Sequence, residues 1–168
     1  PIWADKLDGI CISDKTIRLN DTSLISELEG FSSGDWWVQD YSSQIPVTLL
    51  NIRKDDEVLD LCAAPGGKTA QLISLGANVT SVDGNKNRII RLKENLTRLK
   101  FSSKIFHSDV RNFSPNQKWS KIILDAPCSS TGTLRRHPDI MHIKGESDIQ
   151  SLAKLQSQLL LSTWKFLT

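Results

Sequence analysis

From residue 57 onwards, short apolar runs alternate with longer amphipathic segments. The runs with the near-continuous apolar character of buried strands are VLDLC (58–62), NVTSVD (78–83), KIFHSD (104–109) and KIILD (121–125). Between the first three runs, residues near 67–75 and 86–100 have the length and spacing of helices. Strands that alternate with helices in this way predict an α/β fold whose parallel, Rossmann-like sheet is doubly wound and covered on both faces.

The two ends of the chain have different patterns. Residues 9–19 alternate around a Ser-Asp-Lys turn, and GDWWVQD (34–40) follows a Gly/Ser-rich break, so both predict short antiparallel strands. We expect Ser42 or Ser43 to cap a helix that includes 44–50, with a proline in its first turn. A final helix is predicted to cover the sheet with one apolar stripe, formed by Ile149, Leu152, Leu155, Leu159, Trp164 and Phe166. The sequence thus predicts an N-terminal appendage over 1–50 and a core over 51–168.

Composition narrows the class of protein. The 168 residues are 39% hydrophobic and 24% charged, which is typical of a globular domain with a core. No run approaches the roughly 18 apolar residues of a membrane span, and the first residues do not resemble a signal peptide, so we expect a cytoplasmic protein. Cys11, Cys62 and Cys128 form no C-x-x-C pair, which predicts reduced thiols and no metal site. Because the chain starts at Pro1, we expect a processed or truncated end.

Charge is distributed unevenly along the chain. Residues 1–60 carry 5 Lys and Arg against 12 Asp and Glu, whereas residues 61–168 carry 16 against 7. A basic segment of this kind suits a polyanion such as RNA, and it equally suits solvated helix surfaces. A non-catalytic RNA-binding module is therefore one hypothesis. Its basic run contains Lys86, Arg88, Arg91, Lys93, Arg98, Lys100 and Lys104.

The segment VLDLCAAPGGKT (58–69) leads from a buried strand through small residues into a helix. This geometry lets the backbone approach an anion or cofactor closely. A phosphate loop requires a glycine five positions before Gly67, where this chain has Cys62, and a G-x-G-x-x-G fingerprint is absent. The pattern therefore disfavours both an NAD-binding site and a nucleotide hydrolase. The hydrolase stays an alternative.

Two carboxylates follow the next two strands. Asp83 ends one strand, where it could accept hydrogen bonds from both hydroxyls of a ribose, and Asp109 follows another, where it could bind an adenine amine. Each could also be a turn or cap residue. Their joint position at the carboxyl ends of strands favours a nucleoside cofactor held without a pyrophosphate, and S-adenosylmethionine fits that description.

The fourth strand ends in LDAPCSSTGTLRRHPDI (124–140). Together with DLCAAPGGKT, VDGN and the upstream GDWWVQDYSSQ, this stretch resembles the Sun (Fmu, RsmB-like) family of S-adenosylmethionine-dependent RNA cytosine-5 methyltransferases over about residues 34–160. The resemblance implies methyl-donor contacts from Cys62, Ala63, Ala64, Pro65, Gly66, Gly67, Lys68, Asp83, Asp109 and Asp125. It also implies that Arg135, Arg136 and His137 form a basic turn near small-subunit ribosomal RNA.

Methylation at carbon 5 of cytosine requires a cysteine thiolate that adds to carbon 6 and an acid that binds the pyrimidine. We expect Asp125 to be that acid. The resemblance assigns the attack to a cysteine in a later Thr-Cys motif, which these 168 residues lack, and assigns product release to Cys128. We therefore expect a C-terminally incomplete sheet, with the nucleophile beyond Thr168 and Ile122–Leu124 as an unpaired edge. Cys128 as the nucleophile is the alternative.

Overall fold

The computed structural model describes residues 2–20, 24–134, 137–143 and 145–168. Its strands are β1 (Gly9–Ser13), β2 (Thr16–Leu19), β3 (Glu57–Leu61), β4 (Asn78–Asp83), β5 (Lys104–His107) and β6 (Lys121–Leu124). Its α-helices are α1 (Ile2–Lys6), α2 (Tyr41–Leu49), α3 (Gly67–Ser74), α4 (Lys86–Arg98), α5 (Ile140–Ile143) and α6 (Glu146–Trp164).

The central sheet has four strands in the order β5-β4-β3-β6. All three pairings in it are parallel, which confirms the predicted α/β class. The chain winds outward from β3 through β4 to β5 and then crosses to β6 on the other side of β3. In open α/β sheets a ligand cleft forms beyond the carboxyl ends of the strands where the winding reverses, and here that point lies between β3 and β6.

Helices cover both faces of the sheet, as predicted. Side chains alternate along β3, so Val58 packs with α2 and α3, whereas Leu59 and Leu61 pack with the α6 side of the molecule. The core on the α6 side includes Trp119 and Phe166, and it is completed by the loop that connects β5 to β6. The apolar runs at 58–62 and 78–83 therefore become strands that are buried on both sides, whereas β5, at the edge of the sheet, is largely exposed.

The N-terminal hairpin is confirmed, because β1 and β2 pair in antiparallel fashion. The predicted strand over 34–40 is wrong, since these residues form no strand. The physical reason lies in α4, where the Arg98 guanidinium donates hydrogen bonds to the main-chain oxygens of Phe31 (2.6 Å) and Trp36 (3.0 Å). This side chain occupies the Trp36 carbonyl, which a strand would pair with a neighbour.

The predicted helix in this region is α2, and its start differs from the prediction. Asp40 is the N-cap, because its carboxylate accepts a hydrogen bond from the Ser42 amide at 3.2 Å. Neither Ser42 nor Ser43 is the cap, since both lie within the helix. Pro46 lies inside the helix, one turn later than expected. The division at residue 50 stays a prediction, although Val47 of α2 is fully buried beside Val58.

The predicted apolar stripe of α6 is confirmed in part. Leu159 is buried, whereas Ile149 is half exposed and Trp164 is 73% exposed, so these two do not cover the sheet. Trp164 follows Leu159 by five residues, and about 100° of rotation per residue turns it roughly 140° away from the core. Phe166 lies beyond the end of the helix and reaches the core from the following turn.

Just before β6, Trp119 forms an isolated parallel bridge with Leu167, which follows α6. In the described ranges, β6 has one strand partner, β3. No helix in the described ranges is long and apolar enough to cross a membrane.

Candidate functional site

The loop that leaves β3 is built from small residues in unusual backbone conformations. Cys62 and Gly66 have positive φ angles of 59° and 104°, and the Ala64–Pro65 peptide bond is cis. A Cβ added at Gly66 would lie 2.6 Å from Cδ1 of Leu92, so both the backbone angle and the close approach of α4 require glycine here. The loop therefore passes closely over α4 and ends at the first turn of α3.

Asp83 joins the end of β4 to this loop. Its side chain is 2% exposed, its Oδ2 accepts a hydrogen bond from the Ala64 amide at 3.1 Å, and its Oδ1 accepts one from the Asn85 amide at 2.9 Å. Arg88, one turn into α4, donates to the main-chain oxygen of Ala64 and lies 3.7 Å from the Asp83 carboxylate. These contacts place Asp83 beside the loop, as its sequence position predicts.

Lys68 and Asp125 meet across the winding reversal. The Lys68 ammonium, in the first turn of α3, lies 2.8 Å from Oδ2 of Asp125, which directly follows β6. The Asp125 amide donates to the main-chain oxygen of Leu61, so β3 and β6 hold the two groups in register. The Asp125 carboxylate is the more exposed partner and faces solvent at the carboxyl edge of the sheet.

Asp60 is a buried carboxylate of this region that the sequence analysis did not identify. It is 0% exposed within β3, and the Thr69 hydroxyl of α3 donates to its Oδ2 at 2.6 Å. Its Oδ1 has no hydrogen-bond partner in the described part of the chain. Burial raises the pKa of Asp60 to about 7, against the lowering effect of the Thr69 hydrogen bond.

Asp109 lies near the site but is bound by a neighbour. The Arg111 guanidinium donates to both oxygens of its carboxylate, at 2.9 and 2.6 Å, and these hydrogen bonds lower the pKa of Asp109. An ideal Cβ on Gly84, directly after Asp83, would lie 3.7 Å from Cα of Asp109. The structure therefore brings together the segments that carry the two predicted nucleoside-binding carboxylates.

The three cysteines differ in their surroundings, and all are free. Burial and the nearby Asp83 raise the pKa of the Cys62 thiol to about 11, so this thiol stays protonated near neutral pH. Cys128 is exposed, with its sulfur 3.8 Å from the Ser130 hydroxyl. Its turn is attached to α6, because the Gln156 amide donates to the main-chain oxygen of Pro127 at 2.8 Å.

The predicted RNA-facing turn is described only in part. Arg135 and Arg136 lie outside the described residues, and His137 is exposed. The basic run of α4 is not one free surface, because Arg88 binds the small-residue loop at Ala64 and Arg98 binds the main chain at Phe31. Within the described ranges, no group of three or more His, Cys, Asp or Glu could hold a metal ion.

Solved structures share this fold, and one of them, at 30% identity and a TM-score of 0.74 over 90% of this chain and 49% of that one, is named a methyltransferase homolog protein from Pyrococcus horikoshii. The chain aligns with the protein PH0851 at 26% identity and a TM-score of 0.89, over 99% of this chain and 41% of that one. It aligns with NSun6 from Pyrococcus horikoshii, solved with SFG, at 31% identity and a TM-score of 0.77, over 87% of this chain and 38% of that one. These likenesses confirm the Rossmann-like methyltransferase fold.

Curated relatives agree with the structures. Ribosomal RNA small subunit methyltransferase B of Photorhabdus laumondii is 42% identical over 160 residues, covering 92% of this chain and 37% of the relative. The Cronobacter sakazakii protein of the same name is 43% identical over 156 residues, covering 90% and 36%. The chain thus spans little more than a third of these relatives.

A family model of the 16S rRNA methyltransferases RsmB/F matches residues 47–168. This match includes the small-residue loop, the carboxylates that follow the strands and the turn that carries Cys128. The resemblance found in the sequence is confirmed, and the chain belongs to the RsmB/F family of 16S rRNA methyltransferases.

Proposed function

We propose that the chain is the methyl-donor-binding part of an S-adenosylmethionine-dependent cytosine-5 methyltransferase that acts on small-subunit ribosomal RNA. Its family and its relatives' names support this function, and the geometry of Asp83 is the observation that carries it. The chain spans 37% of the Photorhabdus laumondii relative, so the activity of a whole protein is itself a proposal here.

The Asp83 carboxylate has hydrogen-bonding capacity left for a ribose. An ionised carboxylate has about four lone-pair sites, and main-chain amides of Ala64 and Asn85 use one on each oxygen. One site therefore remains on each oxygen, which matches the two adjacent hydroxyls of a ribose. Arg88 lies against this carboxylate and is itself partly exposed, so a ribose reaches it when Arg88 moves aside.

The other groups of the site suit the rest of the methyl donor. When bound, S-adenosylmethionine supplies an electrophilic methyl group on a sulfonium. The first main-chain amides of α3, at Gly67 and Lys68, and the Lys68 ammonium can hold a carboxylate, and the small side chains of the loop leave the backbone accessible to it. In the proposal, Asp109 binds the adenine amine and shares its carboxylate with Arg111.

On the RNA side, Asp125 binds and orients the target pyrimidine, because its carboxylate is exposed at the winding reversal and the Lys68 ammonium holds it at 2.8 Å. Cys128, on the same edge, assists product release or acts as the nucleophile, and both roles require the exposed thiol that the structure describes. Phosphate contacts are assigned to Arg135, Arg136 and His137 as part of the same proposal.

Calorimetric titration with S-adenosylhomocysteine tests the proposal. Asp83→Asn keeps the shape of the side chain and one acceptor oxygen, but it replaces the second acceptor with a donor that opposes the main-chain amide of Ala64 or Asn85 and leaves one acceptor fewer for the ribose. We expect its affinity to fall by at least about tenfold, the effect of roughly 1.4 kcal/mol. Asp14→Asn, in the exposed turn between β1 and β2, is the control and should bind like the original chain.

The outcomes separate the possibilities. Equal affinities for the Asp83 variant and the control variant would remove Asp83 from the site. Absence of binding by the unmodified chain, together with RNA binding that weakens with salt and ignores the methyl donor, would favour the RNA-binding module instead.

A further inference from the structure

A series of side-chain hydrogen bonds joins the N-terminal segment to α3. The Trp37 indole N–H donates to Oε1 of Gln39 at 2.9 Å, and Nε2 of Gln39 donates to Oε1 of Gln71 at 2.9 Å. Nε2 of Gln71 then donates to the main-chain oxygen of Gln44 at 3.1 Å. We call these four residues the glutamine relay. The Gln44 side chain continues it to the hairpin, where Oε1 accepts a hydrogen bond from the Thr16 hydroxyl at 2.8 Å.

The two ends of the relay fix its direction. An indole N–H can only donate and a main-chain carbonyl can only accept, whereas a glutamine amide can present either its oxygen or its nitrogen. Trp37 therefore requires the oxygen of Gln39, and the carbonyl of Gln44 requires the nitrogen of Gln71. The remaining amide nitrogen and oxygen then face each other as donor and acceptor, so a single arrangement satisfies every group.

The relay ends beside the loop that is proposed to hold the methyl donor. An ideal Cβ on Gly67 would lie 3.7 Å from Cγ of Gln39, so the stem of this glutamine packs against the first residue of α3. Gln71 follows Gly67 by four residues and lies on the same side of the helix. Each of the three relay glutamines is partly buried, which shields their hydrogen bonds from water.

We infer that the glutamine relay sets the position of the first turn of α3, and with it the Gly66–Lys68 part of the methyl-donor loop. This inference rests on the proposed function for its ligand. Gln39 and Gln71 are accordingly positioning residues, which act through the loop and need not touch the donor. The N-terminal segment then contributes to the affinity of the site, although Gln39 lies 23 positions before Cys62, where the loop begins.

Substitutions that reverse one amide group test this inference. In Gln39→Glu, the new carboxylate still accepts a hydrogen bond from the Trp37 indole, but its second oxygen faces the amide oxygen of Gln71, so two acceptors meet. If the Gln71 amide rotates to donate to the new carboxylate, its oxygen then faces the main-chain oxygen of Gln44, and two acceptors meet there instead. In Gln71→Lys, the ammonium opposes the amide nitrogen of Gln39. The double variant removes both conflicts, since a lysine at 71 can donate to a glutamate at 39 and to the Gln44 carbonyl. It loses only the hydrogen bond that Nε2 of Gln39 donates to the Ser43 main-chain oxygen, at a long 3.4 Å.

Calorimetry with S-adenosylhomocysteine provides the first measurement. We expect each single variant to bind about tenfold more weakly and the double variant to return to within about threefold of the original affinity. A direct charge effect on an anionic group would change affinity in opposite directions for the two single variants, whereas the relay predicts weakening in both. Gln150→Glu and Gln150→Lys, on the exposed surface of α6, are the matched charge controls.

The second measurement needs no ligand. The main-chain amide NMR signals of Gly67 and Lys68 should shift in both single variants and return in the double variant, with no shift in the Gln150 controls. Single variants that melt at lower temperature but keep the original affinity and Gly67 signals would overturn the inference. If the unmodified chain binds no S-adenosylhomocysteine, the proposed function fails, and these NMR signals alone decide whether the relay positions α3.

Discussion

Asp60 gives the protein a specific dependence of stability on pH. Its carboxyl is fully buried, and burial raises its pKa from an ordinary value of 3.8 to about 7. Because the folded state then binds a proton that the unfolded state releases, Asp60 favours folding most below about pH 4, and this advantage is lost progressively as the pH rises to about 7. Above pH 7 the folded state contains the buried anion.

The size of this effect follows from the shift. Each pKa unit corresponds to about 1.36 kcal/mol, so a shift of about three units amounts to about 4 kcal/mol between pH 4 and pH 8. Asp60→Asn removes the titration and keeps the acceptor for Thr69. Its amide nitrogen occupies the position of the unpartnered Oδ1, which lowers stability by about 1–3 kcal/mol at every pH. The asparagine variant should therefore be the less stable protein at pH 4 and the more stable one at pH 8.

Urea denaturation followed by circular dichroism, at intervals from pH 4 to pH 8, measures this crossing. The quantity to plot is the difference in unfolding free energy between the variant and the original chain, because contributions from Asp56 and Asp109 cancel in it. Asp14→Asn, an exposed change, should give a difference near zero throughout. A difference for Asp60→Asn that stays constant within about 1 kcal/mol would refute the reasoning that burial controls this carboxyl.

Two further predictions concern the loop. Gly66→Ala should lower the free energy of unfolding by about 1–3 kcal/mol, because the added Cβ would lie 2.6 Å from Leu92 at a residue whose φ is 104°. Gly132→Ala is the control, since a Cβ there would meet nothing within 4 Å and should change the free energy of unfolding little. Thermal melts compare the two variants. Iodoacetamide at pH 8 should label Cys128 rapidly and Cys62 at least about tenfold more slowly, because burial keeps Cys62 protonated. Equal labelling rates, read by mass spectrometry, would contradict that difference.

The sequence predicts most of the sheet because its central strands β3 and β4 are buried on both sides. Continuous apolar runs such as 58–62 and 121–125 leave few alternatives to a parallel strand, and glycine pairs and caps mark the helices between them. The carboxylates could be located because the carboxyl ends of parallel strands share one edge. Asp60 also has a sequence signal, a single charge within an apolar strand, which predicts a partnered or protonated group.

Other features depend on contacts between distant segments, which no local pattern records. The stretch 34–40 has the alternation of a strand, yet Arg98 binds its neighbouring carbonyls from a helix about 60 residues away. The glutamines of the relay are also distant in sequence, with Gln39 and Gln71 separated by 32 positions. Glutamine is common on protein surfaces, so the residue type alone does not indicate that these side chains are partly buried and paired.

The contact between Arg88 and Asp83 has a consequence for the rate at which a nucleoside ligand binds. An exposed arginine side chain changes rotamer in picoseconds to nanoseconds, far faster than a ligand diffuses to a protein at micromolar concentration. Displacement of Arg88 should therefore not be a separate slow step, and the observed association rate should fall in proportion to the fraction of molecules in which Asp83 is accessible. The ion pair reduces this fraction, and the apparent dissociation constant rises in inverse proportion to it.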